Sequence, residues 1–160
     1  MKQNRSVLFV CMGNICRSPA AEGLLRAFSQ GLELPESCID SAGTHGYHVG
    51  NRADSRMRSA AERRGYDLES RARQFVAKDL MEFDLVLAMD RENLTIIKSH
   101  VDEQSTAEVK LFSEFLGGQW PTDVPDPYYG GEDGFEYVLD MITDGCQPIL
   151  DWLTSDHSDE

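Results

Sequence analysis

Short runs of consecutive apolar residues alternate along this chain with longer segments in which apolar positions recur at spacings of three and four. A bounded apolar run of four to eight residues reads as a strand buried on both faces; a period near 3.6 reads as a helix with one face on the core. Four runs rich in Val, Ile, Leu and Phe, each leading into a loop or helix signal, are candidate strands: Ser6 to Val10, Cys38 to Ser41, Phe83 to Met89 and Glu108 to Phe112. Helical spacing covers Pro19 to Gln30 and Ala53 to Arg64, the second followed by Gly65 at the left-handed position that ends helices. Asp90 is placed to cap a helix running to about His100. In the last segment Phe135, Val138, Leu139, Ile142, Cys146, Ile149, Leu150 and Leu153 form one stripe. Pro148 removes the hydrogen bond to the Asp144 carbonyl, which predicts a kink or restart near Gly145.

Strands alternating with helices, with no repeat or linker between them, predict the α/β class: a single domain over 1–160, with a doubly wound four-stranded parallel sheet flanked by helices. Residues 154–160 are expected to be a disordered tail. Ligands of such sheets bind beyond the carboxyl ends of the strands, so the chemistry should follow a strand directly.

A length of 160 residues suits one domain, and 41% apolar residues suffice for a core. The longest apolar runs, Val7 to Cys11 and Leu85 to Met89, are too short to cross a bilayer. The start superficially resembles a signal peptide, but its apolar stretch ends quickly and no small-residue cleavage site follows, so a cytoplasmic location is expected. There the four cysteines (Cys11, Cys16, Cys38, Cys146) should be reduced thiols, and no Cys-x-x-Cys pair offers a zinc site. The net charge of −13 disfavours nucleic acid and anionic membranes as partners. That charge is uneven: residues 1–78 carry 12 basic against 8 acidic residues, and residues 79–160 carry 3 against 20. With a Debye length of about 8 Å, the first half can hold an anion regardless of the second.

Directly after the first strand comes Cys11-Met12-Gly13-Asn14-Ile15-Cys16-Arg17-Ser18-Pro19, where the chain's one Cys-x5-Arg spacing lies. Ser18 is a favoured N-cap, Pro19 suits the first helical position, and a residue before proline avoids helical dihedrals; all three predict a helix start at Pro19. A seven-residue loop between strand and helix can curl its amides toward one point at the positive end of the helix dipole, which suits a tetrahedral oxyanion. Gly13 and Asn14 tolerate the backbone angles of a tight curl, and Arg17 offers a planar fork to two oxygens. The same donors favour the thiolate of Cys11, with the Ser18 hydroxyl placed to add a hydrogen bond. Cys11 taken alone also fits a buried strand-end thiol; an arginine six residues on and a helix start behind it favour the nucleophile.

From Val10 to Pro19 this loop resembles the phosphate-binding signature of the low-molecular-weight protein tyrosine phosphatases. The similarity continues through Asp40-Ser41-Ala42-Gly43-Thr44, Gly46-Tyr47-His48-Val49-Gly50, Ala72-Arg73-Gln74, Ala88-Met89-Asp90 and Asp126-Pro127-Tyr128-Tyr129. The resemblance implies a metal-free, cofactor-free phosphomonoester hydrolase acting on phosphotyrosine-containing proteins through a phosphocysteine intermediate. It places Asp126 as the general acid that protonates the leaving group and then deprotonates the attacking water, where an Asp-Pro turn is the plain structural alternative. Asp123 is the nearest rival, without the Pro-Tyr-Tyr that follows Asp126.

By the same resemblance Tyr47, Tyr128 and Tyr129 line the pocket mouth with Met12 near the rim, Ile15 tilts substrate choice toward phosphotyrosine where arginine phosphatases carry Thr, and Ser41 braces Asn14. Cys16 matches a second loop cysteine that can form a reversible disulfide with the nucleophile. Asp90 is accounted for as an N-cap, and His45 and His48 as solvated turn residues. Ser70 stands where many members carry a His that supports the loop. Competing readings are an arsenate reductase, whose relay cysteines are missing from Lys78 to Ser99, an arginine phosphatase, and a non-catalytic module binding phosphorylated partners. A tyrosine kinase is one candidate partner.

Overall fold

The computed structural model describes residues 5–129 and 131–155, the side chains of Glu36, Tyr129 and Glu132 apart. Four parallel strands form one sheet: β1 (Val7–Cys11), β2 (Ile39–Gly43), β3 (Leu85–Ala88) and β4 (Glu108–Leu111), in the order β2-β1-β3-β4. Val7 sits opposite both Ile39 and Leu85, and Leu85 opposite Glu108. β1 is central and buried along its whole length. Successive strand side chains point to opposite faces. Val7, Phe9 and Cys11 therefore join the core beneath α1 (Arg17–Phe28) and α5 (Glu132–Thr154), whereas Leu8 and Val10 join Phe75, Leu80 and Ile97 on the other side. Each such side chain contributes about 1.5–3 kcal/mol on full burial. The nucleophile candidate thus ends a strand that the core holds from both faces.

Three further helices complete the layers: α2 (Ser55–Glu62), the single turn α3 (Asp79–Glu82) and α4 (Arg91–Lys98). Asp54 caps α2 by accepting the Arg56 amide, and Gly65 has φ +88° just beyond that helix. Asp90 caps α4 through the Asn93 amide, as expected.

Two expectations are corrected. The first helix begins at Arg17, not Pro19, with Cys16 as its N-cap residue. The Ser18 hydroxyl is engaged with Cys11, Asn14 and Ala42 and does not cap. Pro19, in the first turn, forfeits only an amide that has no intrahelical partner there. The last helix does not restart near Gly145; α5 runs unbroken through Pro148. A mid-helix proline costs roughly 3 kcal/mol, and the stripe from Phe135 to Leu153, buried along its length, outweighs it. Gly145 serves close packing instead, since a Cβ there would lie 2.6 Å from the Phe112 ring. Of the tail expected to be disordered, Thr154 is helical and Ser155 caps α5; 156–160 lie outside the described residues.

Candidate active site

The loop between β1 and α1 curls around the end of the sheet. Asn14 is, among the described residues, the one non-glycine residue with positive φ (57°), a conformation asparagine tolerates better than most. Gly43, at the end of β2, lies directly beneath: a Cβ there would meet the Met12 carbonyl oxygen at 2.8 Å and the Asn14 nitrogen at 3.0 Å. The Asn14 side chain then ties the curl down, its amide donating to Ser18 Oγ (2.8 Å) and Ser41 Oγ (2.9 Å) and its carbonyl accepting the Arg73 amide (3.0 Å). The Ser41 hydroxyl in turn donates a hydrogen bond to Glu22 Oε1 (2.5 Å). Glu22 is 2% exposed, pairs with Arg26 at 2.8 Å and is hydrogen-bonded by Ser70. Burial raises its pKa against the opposing pull of Ser41 and Arg26.

Cys11, 2% exposed, sits inside this curl. Its Sγ accepts the Asn14 amide at 3.3 Å and lies 3.0 Å from Ser18 Oγ. Among the described residues the amides of Gly13, Ile15, Cys16, Arg17 and Ser18 have no protein acceptor. They are donors available to an anion beside the sulfur.

Arg17 closes the site from the other side. Its Nη1 donates to Asp90 Oδ2 (2.6 Å) and the Val124 carbonyl (3.0 Å), and its Nη2 to Asp126 Oδ2 (3.5 Å). Burial disfavours the Arg17 cation, but Cys11, Asp90 and Asp126 outweigh it and its pKa rises. Asp126 lies at the start of a 3₁₀ turn, Pro127–Tyr129, and its Oδ1 accepts the Tyr128 amide at 3.0 Å. Cys16 is 4% exposed; burial first, then Asp54, Cys11 and Asp126, push its thiol pKa up, so it stays protonated. All four cysteines are free thiols.

One cleft brings together Cys11, Met12, Gly13, Ile15, Cys16, Arg17, Asp126 and Tyr128, with Asn14, Ser18 and Ser41 behind the loop. Tyr47 does not line it, contrary to expectation: it is 79% exposed and stacked on His45 with ring centres 5.5 Å apart. The turn that directs Tyr47 outward directs His48 inward, where its ring lines the cleft and tilts against Tyr128 at 6.3 Å. The Tyr129 side chain lies outside the described residues. Sequence reasoning thus took His48 for a solvated turn residue and missed the second role of Asp90, hidden by its capping role. Glu22 carried no sequence signal at all. Asp123 is engaged elsewhere, paired with Arg91 at 3.1 Å. Among the described residues no three His, Cys, Asp or Glu side chains converge as metal ligands do, and no helix is long and apolar enough to cross a membrane.

Comparison with known proteins agrees with this geometry. The family model of the low molecular weight phosphotyrosine protein phosphatases matches residues 6–159. The chain is 41% identical to the Schizosaccharomyces pombe low molecular weight phosphotyrosine protein phosphatase, over 94% of this chain and 97% of that protein. Among solved structures it is similar to a protein tyrosine phosphatase from Entamoeba histolytica with Hepes in its active site (44% identity, 91% and 94% of the two chains, TM-score 0.84). It is also similar to a Drosophila arginine phosphatase (28% identity, 94% and 99%, TM-score 0.84). A curled loop joining a strand-end cysteine to a buried arginine, on a sheet matched across nearly the whole chain, is explained by common descent: the chain belongs to the low molecular weight protein-tyrosine phosphatases, a family of hydrolases.

Proposed function

We propose that Cys11 attacks the phosphorus of phosphotyrosine monoesters on protein substrates and that the phosphoryl group passes through a phosphocysteine. The observation that carries this reading is the hydrogen bonding of Cys11 Sγ, which faces the Asn14 amide and the Ser18 hydroxyl with Arg17 and Asp126 in the same cleft. The attacking species in such a displacement is the thiolate. In the first step the S–P bond forms as the bond from phosphorus to the tyrosyl oxygen breaks, and the Asp126 carboxyl gives its proton to the departing phenolate. The free loop amides and the Arg17 fork hold the nonbridging oxygens as charge shifts between them. In the second step the Asp126 carboxylate takes a proton from water, the water oxygen bonds to phosphorus, and the S–P bond breaks to return thiolate and inorganic phosphate.

Ile15, 9% exposed in the cleft, gives the aryl ring an apolar wall, with Tyr128 and His48 at the mouth. Cys16, protonated at rest, is the partner for a protective disulfide if Cys11 is oxidised. A reducing cytoplasm suits an enzyme that depends on a free thiol, and a phosphorylated tyrosine kinase is a fitting protein substrate. The test is hydrolysis of a phosphotyrosine peptide by wild type, Cys11→Ser and Asp126→Ala, with phosphoarginine as the competing substrate. Cys11→Ser should abolish turnover, and Asp126→Ala should lower kcat on the order of 10² to 10⁴. Preference for phosphoarginine, or full activity in Cys11→Ser, would overturn the reading.

A further inference from the structure

The Asp126 turn is tied at its far end to the phosphate loop by a side chain that never touches the cleft. The Asp54 amide donates to the Ile15 carbonyl at 2.7 Å, which fastens the start of α2 to the phosphate loop. The Asp54 carboxylate then grips Arg56: Oδ1 accepts its amide (2.8 Å) and Nε (3.1 Å), and Oδ2 accepts Nη2 (3.1 Å). The same Nη2 donates to the Tyr128 carbonyl at 3.3 Å. The guanidinium also lies over two rings, its carbon 5.3 Å from the centre of Tyr128 and 4.9 Å from that of Phe135, near the start of α5. Tyr128 is thereby held by both sides of its peptide chemistry, its N–H by Asp126 and its C=O by Arg56.

We propose that Arg56 is a positioning residue that holds the Asp126 turn over the nucleophile, with Asp54 as its anchor on the phosphate loop. This rests on reading Asp126 as the general acid. The planar fork matters: a guanidinium can meet a carboxylate with two nitrogens, share one of them with a carbonyl, and still stack on an aromatic face, which an ammonium cannot do. The Arg56 side chain is 45% exposed, so the clamp lies outside the core. Loosening it displaces the acid without disturbing the thiol or the loop amides. General acid catalysis depends on the proton donor standing within hydrogen-bond reach of the leaving oxygen, so in kcat/KM, which reports the first step alone, the loss should appear only where the leaving group needs a proton.

The test compares phenyl phosphate, whose leaving group needs protonation, with 2,4-dinitrophenyl phosphate, whose leaving group does not. Arg56→Ala should lower kcat/KM for phenyl phosphate by about 10- to 50-fold, a part of the full acid contribution, and for the dinitrophenyl ester by less than about 3-fold. Asp54→Asn, which keeps a good N-cap but weakens the pairing, should reproduce that selective loss, and Arg56→Lys should fall between Arg56→Ala and wild type. On an Asp126→Ala background, Arg56→Ala should cost nothing further on phenyl phosphate. Equal losses on both esters, no loss on either, or additive losses in the double variant would overturn the clamp. If Asp126→Ala itself showed no dependence on the leaving group, the general-acid reading would fail instead, so the two failures are distinguishable.

Discussion

The side-chain amide of Asn14 donates to the Ser18 hydroxyl at 2.8 Å, which leaves that hydroxyl one proton to place. Cys11 Sγ lies at 3.0 Å and the Ala42 carbonyl at 3.4 Å, so the better acceptor is the sulfur. The left-handed backbone of Asn14 is what brings its side chain under the loop, and so one residue sets both the curl and the hydrogen bonding of Cys11.

Removing the Ser18 hydroxyl deletes a hydrogen bond to the attacking thiolate of the proposed mechanism, worth about 1.5–3 kcal/mol. Ser18→Ala should therefore lower kcat about 10- to 150-fold and slow alkylation of Cys11 by iodoacetate at neutral pH. Asn14→Ala, which loses three hydrogen bonds and the tolerant backbone, should be worse on both readouts. Steady-state kinetics and timed alkylation of the purified variants check this; an unchanged alkylation rate in Ser18→Ala would show that the hydroxyl does not serve the sulfur.

Asp90 performs two tasks with two oxygens, capping α4 at the Asn93 amide (2.7 Å) and holding Arg17 (2.6 Å). Asn at this position keeps the cap and loses the charge. Asp90→Asn should lower kcat/KM and weaken competitive inhibition by inorganic phosphate, each by about 10- to 100-fold, because Arg17 loses the charged acceptor that fixes its fork in the cleft. Asp90→Ala should add a further stability loss of about 1 kcal/mol from the missing cap, read from urea unfolding. Equal stability in the two variants would separate the cap from this residue.

The Arg91–Asp123 pair governs part of the acid stability. Hydrogen bonding from Arg91, against a smaller burial effect, holds the Asp123 pKa below that of a free aspartate. A carboxyl depressed in the folded state contributes stability that is present above its unfolded pKa of about 4 and is lost as pH falls through the folded value. Asp123→Asn should therefore lower the urea midpoint at pH 7 and leave it unchanged near pH 2, so its curve against pH is flatter than that of the wild type below pH 4. Activity per folded molecule should fall little, since Asp123 touches nothing in the cleft.

Much of this architecture was legible from the chain alone because it rests on local rules. Continuous apolar runs marked β1 and β3, shorter segments rich in Val, Ile, Leu and Phe marked β2 and β4, and the spacing from Phe135 to Leu153 marked α5. The loop from Cys11 to Arg17 stood out because its parts are contiguous. What was hidden depends on contacts between distant segments. Ser18 looked like a helix cap because capping is a local rule, and only the approach of Asn14 and Cys11 diverts its hydroxyl. Asp90 satisfied a local rule completely, which concealed its bond across 73 positions to Arg17. Tyr47 and His48 differ only in which way one turn faces them, and no pattern of residue types encodes that. Pro148 predicted a break that the packing of a long apolar stripe overrode.

The measurement that bears most directly on the whole account is trapping of the covalent intermediate. Wild-type enzyme mixed with phosphotyrosine peptide, quenched in acid within the first turnover and mapped by mass spectrometry, should carry one phosphoryl group on the peptide containing Cys11 and none in Cys11→Ser. Phosphate on another side chain, or inorganic phosphate released in a burst with no phosphorylated Cys11 at any quench time, would contradict it.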